Sequence, residues 1–137
     1  MLPTKEISRI AQERFAAFES GDPERAVALY AEDGQYWDTK TADGVQGKSS
    51  LHAHFARFLT SFDVRYALLE EHRLERRDGS IVLWECAVRS RLRDGTLSRD
   101  LVMQRGMSLL EISKGLITRE ESYMDLASLD RLSAATA

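Results

Sequence analysis

Three turn signals, at residues 77–80 (RDGS), 93–96 (RDGT) and 113–115 (SKG), cut the second half of the chain into four segments rich in β-branched and aromatic residues, roughly 65–76, 80–93, 98–113 and 116–124. Consecutive strands joined by such turns predict an antiparallel meander. A sheet this long needs an apolar cover on one face. The first half of the chain supplies it.

From Thr4 to Ser20, the residues Ile7, Ile10, Ala11, Phe15 and Phe18 recur at helical spacing, and Gly21 ends the helix. Asp22 then caps a short helix that Pro23 opens, with Ala26, Val27, Leu29 and Tyr30 for burial. Residues 34–39 read as a brief strand and 40–47 as a loop. The third helix places Leu51, Phe55, Phe58, Leu59 and Phe62 on one face, with Ser49 or Ser50 as cap. Asp125 caps a last short helix, and the tail 133–137 is expected to fray. Helices first and hairpins afterwards predict one α+β domain over residues 1–137, in which a strongly curved antiparallel sheet wraps the N-terminal helices. The cone-shaped space between them is a natural pocket for a small hydrophobic molecule.

Composition removes several alternatives. A 43% apolar and 30% charged chain of 137 residues with a formal charge of -3 is a soluble globular domain without general attraction to nucleic acid or to an anionic membrane. The single Cys86 permits no internal disulfide and no cysteine zinc cluster. No stretch has signal-peptide character or approaches the roughly 20 apolar residues that span a bilayer, so the chain reads as cytoplasmic. His52 and His54, two apart on a helix, face different directions and cannot chelate one metal. With no dinucleotide fingerprint and no phosphate loop either, the expected metal and cofactor content is none.

The stretches RFAAFESGDPERAVALYAEDGQYWD, GKSSLHAHF and SLLEISKGLITREESYMDL, taken with the order of elements, resemble the nuclear-transport-factor-2-like superfamily. Within it the similarity is to SnoaL-like polyketide cyclases and steroid ketoisomerases. The resemblance implies a cystatin-like roll over nearly the whole chain, a homodimer, and a pocket that works without a cofactor. It also places Asp38 where the ketoisomerases keep a proton-shuttling aspartate. Two departures stand beside that match: Arg14 replaces the catalytic tyrosine of the first helix, and Ser108 replaces the sheet aspartic acid that donates to the substrate oxygen. The similarity to limonene epoxide hydrolases lacks its arginine and both acids, which would fall near Glu85, Ala87 and Ser122.

Arg14 lies in the middle of the apolar arc of the first helix, and a cation aimed at a core must be paired, solvated in a cavity or snorkelling to an edge. Either it pairs with Asp38 or a sheet glutamate, or it binds an anionic or enolate oxygen of a ligand. Asp38 shares a strand face with Tyr36. It is a base beside a carbonyl, its basicity helped by desolvation, or it is a salt-bridged or solvated strand end.

Strand parity separates Trp84, Cys86 and Val88 from Glu85, Ala87 and Arg89, and Leu101, Met103, Met107 and Leu109 from Gln104, Gly106, Ser108 and Leu110. The family pattern turns the more polar sets inward and the apolar sets, Trp84 included, outward to a dimer face; periodicity alone argues the reverse. Glu120, Ser122 and Met124 then point inward, making Glu120 a second acid/base candidate.

The expected site is thus Asp38, Arg14 and Glu120 as catalytic groups, with Phe15, Phe18, Tyr36, His54, Phe55, Phe58, Arg89, Ser108 and Ser122 binding the ligand. His54 lies at the margin of the buried helix face, reaching a pocket mouth or satisfied structurally. Cys86 reads as a small buried hydrophobe. The expected function is cofactor-free isomerisation or cyclisation by proton transfer next to a carbonyl of a hydrophobic substrate, an isomerase- or lyase-like activity. The alternative is a non-catalytic ligand-binding or dimerisation module.

Overall fold

Helix α1 (Thr4–Glu19) buries Ile7, Ile10, Ala11, Arg14, Phe15 and Phe18 along one face, as the sequence spacing requires. It is followed by α2 (Pro23–Val27), β1 (Tyr30–Asp38), β2 (Val45–Gln46), α3 (Lys48–Ser61), β3 (Phe62–Arg73), β4 (Gly79–Ser90), β5 (Val102–Ser113), β6 (Leu116–Met124) and α4 (Leu126–Thr136). The computed structural model describes residues 1–136, with side chains through Leu132. The tail expected to fray, 133–137, therefore lies outside the described residues except for the backbone of 133–136.

The six strands form one unclosed sheet in the order β2-β1-β6-β5-β4-β3. Strands β3 to β6 are the predicted meander, but β1 runs parallel to β6, so the sheet is mostly rather than wholly antiparallel. This pairing explains why Tyr30 opens a strand instead of closing α2. The Ile117 N–H donates to the Leu29 carbonyl, drawing the chain out of the helix into the ladder. The expected loop at 40–47 contains the short edge strand β2, paired through Gln35 with Gln46 and Tyr36 with Val45. Helix α3 is capped by Gly47 at φ 90°, not by Ser49 or Ser50, because the Gly47 N–H is held by the Gly34 carbonyl. Asp125 does cap the last helix, its Oδ1 accepting from the Ser128 N–H at 2.6 Å.

The face assignment of β4 requires correction. Gln104, Gly106, Ser108 and Leu110 of β5 point inward as expected, and their cross-strand partners are Cys86, Trp84, Val82 and Ser80. Directly paired residues share a face. Trp84, Cys86 and Val88 are therefore core residues, and Glu85, Ala87 and Arg89 lie on the outer face. The core fills the concave side of the sheet beneath α1 and α3, centred on Phe15, Phe18, Tyr30, Phe55 and Trp84.

Candidate active site

Arg14, carried into the core by the apolar face of α1, meets Glu120 on the inward face of β6. Its Nε donates to Glu120 Oε1 at 2.9 Å and its Nη2 to Oε2 at 2.6 Å. The guanidinium also lies 3.8 Å from the centroid of the Phe18 ring. Burial works against the Arg14 charge, but Glu120 outweighs it and holds the proton more firmly than water does. The sheet glutamate is thus the partner, not Asp38.

Glu120 has no free face. Besides the two Arg14 bonds it accepts from the Tyr30 hydroxyl and, at 2.6 Å, from Ser122 Oγ. Because the Ser122 proton is directed to Glu120, Ser108 donates to Ser122 at 2.7 Å, and the Trp84 indole N–H donates to Ser108 at 2.9 Å. A single chain of donors runs from Trp84 to a fully satisfied carboxylate. Glu120 is fully buried and does not line the cavity described below, so the expectation of a second acid/base group there is replaced by a counter-ion for Arg14. Ser108 likewise sits behind the cavity wall, engaged at both ends of its hydroxyl.

Between α1, α3 and the sheet lies a cavity of about 290 Å³. Phe18, Phe55, Tyr66 and Trp84 form its inner walls, and Phe58, Phe62, Leu129 and Leu132 border it as well. Arg14, Gln104 and Ser122 supply its deep polar surface. Half-buried Asp38 and His54 line it together with exposed Lys40 and Arg57.

Asp38 is fixed from several sides. Its Oδ1 accepts from the Lys40 N–H at 2.8 Å, and its Oδ2 accepts from the Tyr36 hydroxyl at 3.0 Å and lies 3.7 Å from His54 Nε2. Burial alone would raise its pKa, as expected for a base in a pocket. His54, the Lys40 N–H and Tyr36 together outweigh burial, leaving the carboxyl below its ordinary value of 3.8 and ionised at neutral pH. Burial and the neighbouring Asp38 charge push the Tyr36 hydroxyl well up, so it remains a donor.

Of the other expected ligand residues, Phe18, Tyr36, His54, Phe55, Phe58 and Ser122 line the cavity. Phe15 does not: it packs in the core against Tyr66, their ring centroids 4.9 Å apart. Arg89 is excluded by the β4 parity, and its Nη1 donates to the Ser98 and Arg99 carbonyls on the outer side. Trp84 and Gln104, absent from the expected set, line the cavity; the cross-strand register that pairs Trp84 with Gly106 is the signal that would have found Trp84. Burial pushes the Cys86 thiol up to about 12, which keeps it an inert core group. Among the described residues no group of three or more His, Cys, Asp or Glu side chains is placed to hold a metal ion, and no helix is long and apolar enough to cross a membrane.

The architecture is shared with many solved structures. An isomerase candidate of Bacillus subtilis is 13% identical over 98% of this chain and 97% of its own, with a TM-score of 0.83. A polyketide cyclase candidate of Xanthomonas campestris is 16% identical over 97% and 98%, at 0.78. A limonene-epoxide-hydrolase-like enzyme of Mycobacterium tuberculosis is 14% identical over 93% and 89%, at 0.74. At these identities the likeness is one of fold. No curated protein matches the chain significantly. The family described as the SnoaL-like domain matches residues 11–120, from the middle of α1 to the Glu120 that pairs with Arg14, and the chain belongs to that family.

Proposed function

We propose that this protein catalyses cofactor-free proton transfer next to a carbonyl of a largely apolar small molecule, as in isomerisation or aldol-type cyclisation. One observation carries the reading: an ionised Asp38 on the wall of an aromatic cavity, its Oδ2 held between the Tyr36 hydroxyl and His54. Asp38 takes a proton from the carbon beside the carbonyl. The electron pair of that C–H bond becomes a carbon–carbon π bond while the carbonyl π pair moves onto the oxygen to form an enolate, and protonated Asp38 returns its proton to carbon. Tyr36 and His54 orient the carboxylate, while Arg14, neutralised by Glu120, shapes the inner wall without adding net charge. The rival reading, a ligand-binding module without catalysis, draws on the bonds that lower the basicity of Asp38.

Deuterium exchange at the α-carbons of cyclic ketones of one to four rings, followed by NMR in heavy water, separates the two. The enzyme reading expects exchange above the buffer rate, and Asp38→Asn reducing it by about 100-fold or more, with the fold intact by circular dichroism. Because hydrogen bonds favour the ionised form, the acid limb of the rate should fall below pH 3.8. Exchange at the buffer rate for every ketone would leave the binding module.

The partner we propose is a second copy of the chain, on the outer face of the sheet. Met103 is 47% exposed, Met107 49% and Tyr123 51%, with Leu101 just before β5; this exposed apolar row, crossed by Arg105, is what a second copy would cover. Light scattering should give a dimer mass, and the double substitution Met103→Glu with Met107→Glu should halve it. Trp84, now placed in the core, is not a suitable probe of that face.

A further inference from the structure

We infer that the inner end of the cavity takes the uncharged part of a molecule about two fused rings in size, and that Gln104 reads a single carbonyl or hydroxyl oxygen on it. This rests on the cavity being the ligand site.

Among the described residues, four buried side chains carry a polar atom without a partner: Arg73, Ser80, Ser90 and Gln104. Gln104 is the one of the four that lines the cavity. It is 5% exposed, and its Nε2 is buried without a hydrogen bond, so the amide presents that group to the cavity only by turning about its last bond; its cross-strand neighbour is Cys86, whose Sγ contacts the Ala87 carbonyl instead. A buried amide left unpaired is costly, and native cores rarely keep one without a use. The neighbouring polar groups do not bond to it: the Trp84 N–H, Ser108 and Ser122 bond to one another in a series ending on Glu120. A primary amide offers a donor at one end and an acceptor at the other, so turning about its last bond lets it meet either a carbonyl or a hydroxyl oxygen.

Charge and size follow from the same walls. The Arg14 charge is cancelled by Glu120, so a ligand charge placed at the inner end would lose its hydration and gain no partner. Asp38, His54, Lys40 and Arg57, the remaining ionisable groups of the lining apart from Tyr36 and Tyr66, keep access to solvent. A dry cavity of about 150 Å³ holds one benzene, and this one measures about 290 Å³ between flat aromatic side chains. Two fused rings fill it.

The test uses 2-tetralone and tetralin, which share one bicyclic skeleton and differ in the ketone oxygen, with dissociation constants measured by NMR titration. The preference of the wild-type protein for the ketone over the hydrocarbon should fall about tenfold in Gln104→Leu, through lost ketone affinity, while tetralin binds as well or better. Gln104→Met, an unbranched replacement, gives the same readout if the leucine variant fails to fold. An unchanged preference in the folded variant overturns the role of Gln104. A wild-type protein that binds neither probe, or that binds a four-ring ketone as tightly as 2-tetralone, overturns the size assignment. Failure here is distinct from failure of the catalytic reading: ketone exchange that depends on Asp38 but not on Gln104 would sink this inference alone, and Gln104-dependent binding without exchange would sink only the catalysis.

Discussion

Arg14→Met should lower the thermal midpoint by ten degrees or more. The substitution leaves Glu120, fully buried, with only the Tyr30 and Ser122 hydroxyls as donors. Removing one member of a buried ion pair costs about 3–5 kcal/mol, because the other charge stays in a medium that solvates it poorly. For a domain of this size each kcal/mol is worth roughly 3–5 °C. Glu120→Gln should be destabilising for the converse reason, softened by the Phe18 and Phe15 rings against the guanidinium. The double variant Arg14→Met with Glu120→Gln should recover much of the loss, since no buried charge is left unpaired and the amide still accepts from one of the Tyr30 and Ser122 hydroxyls while its NH2 faces the other. Thermal or denaturant unfolding of all four proteins gives the coupling directly. A neutral Arg14→Met would mean that cavity water solvates the pair, and the uncharged inner end inferred above would have to be abandoned.

Gly106→Ala should be nearly as damaging, although it adds one methyl group. Gly106 faces Trp84 across the β4–β5 pair, and a Cβ there would lie 2.5 Å from the Tyr123 carbonyl oxygen and 2.6 Å from the indole ring. The indole crosses this bare backbone to reach Ser108, one inward position further along β5. Neither obstacle yields easily: the carbonyl belongs to β6, and the ring is held by its own N–H bond and packed edge-on against Tyr66. Overpacking of this kind costs about 3 kcal/mol, near 10 °C in midpoint. Trp84 fluorescence should shift as the ring leaves its place, and ketone affinity should fall with it. A variant with unchanged midpoint and unchanged fluorescence would show that the indole has room to turn.

Much of this architecture was legible in the chain. The apolar arc of α1, the Pro23 start of α2, the aromatic face of α3 and the three turns between β3 and β6 each have a local cause, and local causes survive folding. Period-2 alternation put Glu120, Ser122 and Met124 of β6 on one face, and the family pattern turned that face inward. The family resemblance read from the residues is the family that the chain belongs to.

What was not legible depended on neighbours distant in sequence. Alternation says which residues of β4 share a face but not which face is inside; that is decided by register, and pairing with Gly106 and Gln104 turned Trp84 and Cys86 inward and Arg89 out. The same holds for charge. Sequence alone placed Arg14 on a buried face and demanded a partner, but only the packing of α1 on the sheet, against β3 and β4, let Arg14 reach Glu120, 106 residues away, rather than Asp38. It was likewise α3 that brought His54 to Asp38, and β1 pairing parallel to β6 that set Asp38 beside Ser122 on the cavity wall. The sequence by itself determined the elements, their amphipathic faces and the presence of a buried cation. The tertiary structure alone decided which charge neutralises it, which face lines the cavity and which amide is left facing it, because those outcomes depend on contacts between segments that no local pattern encodes.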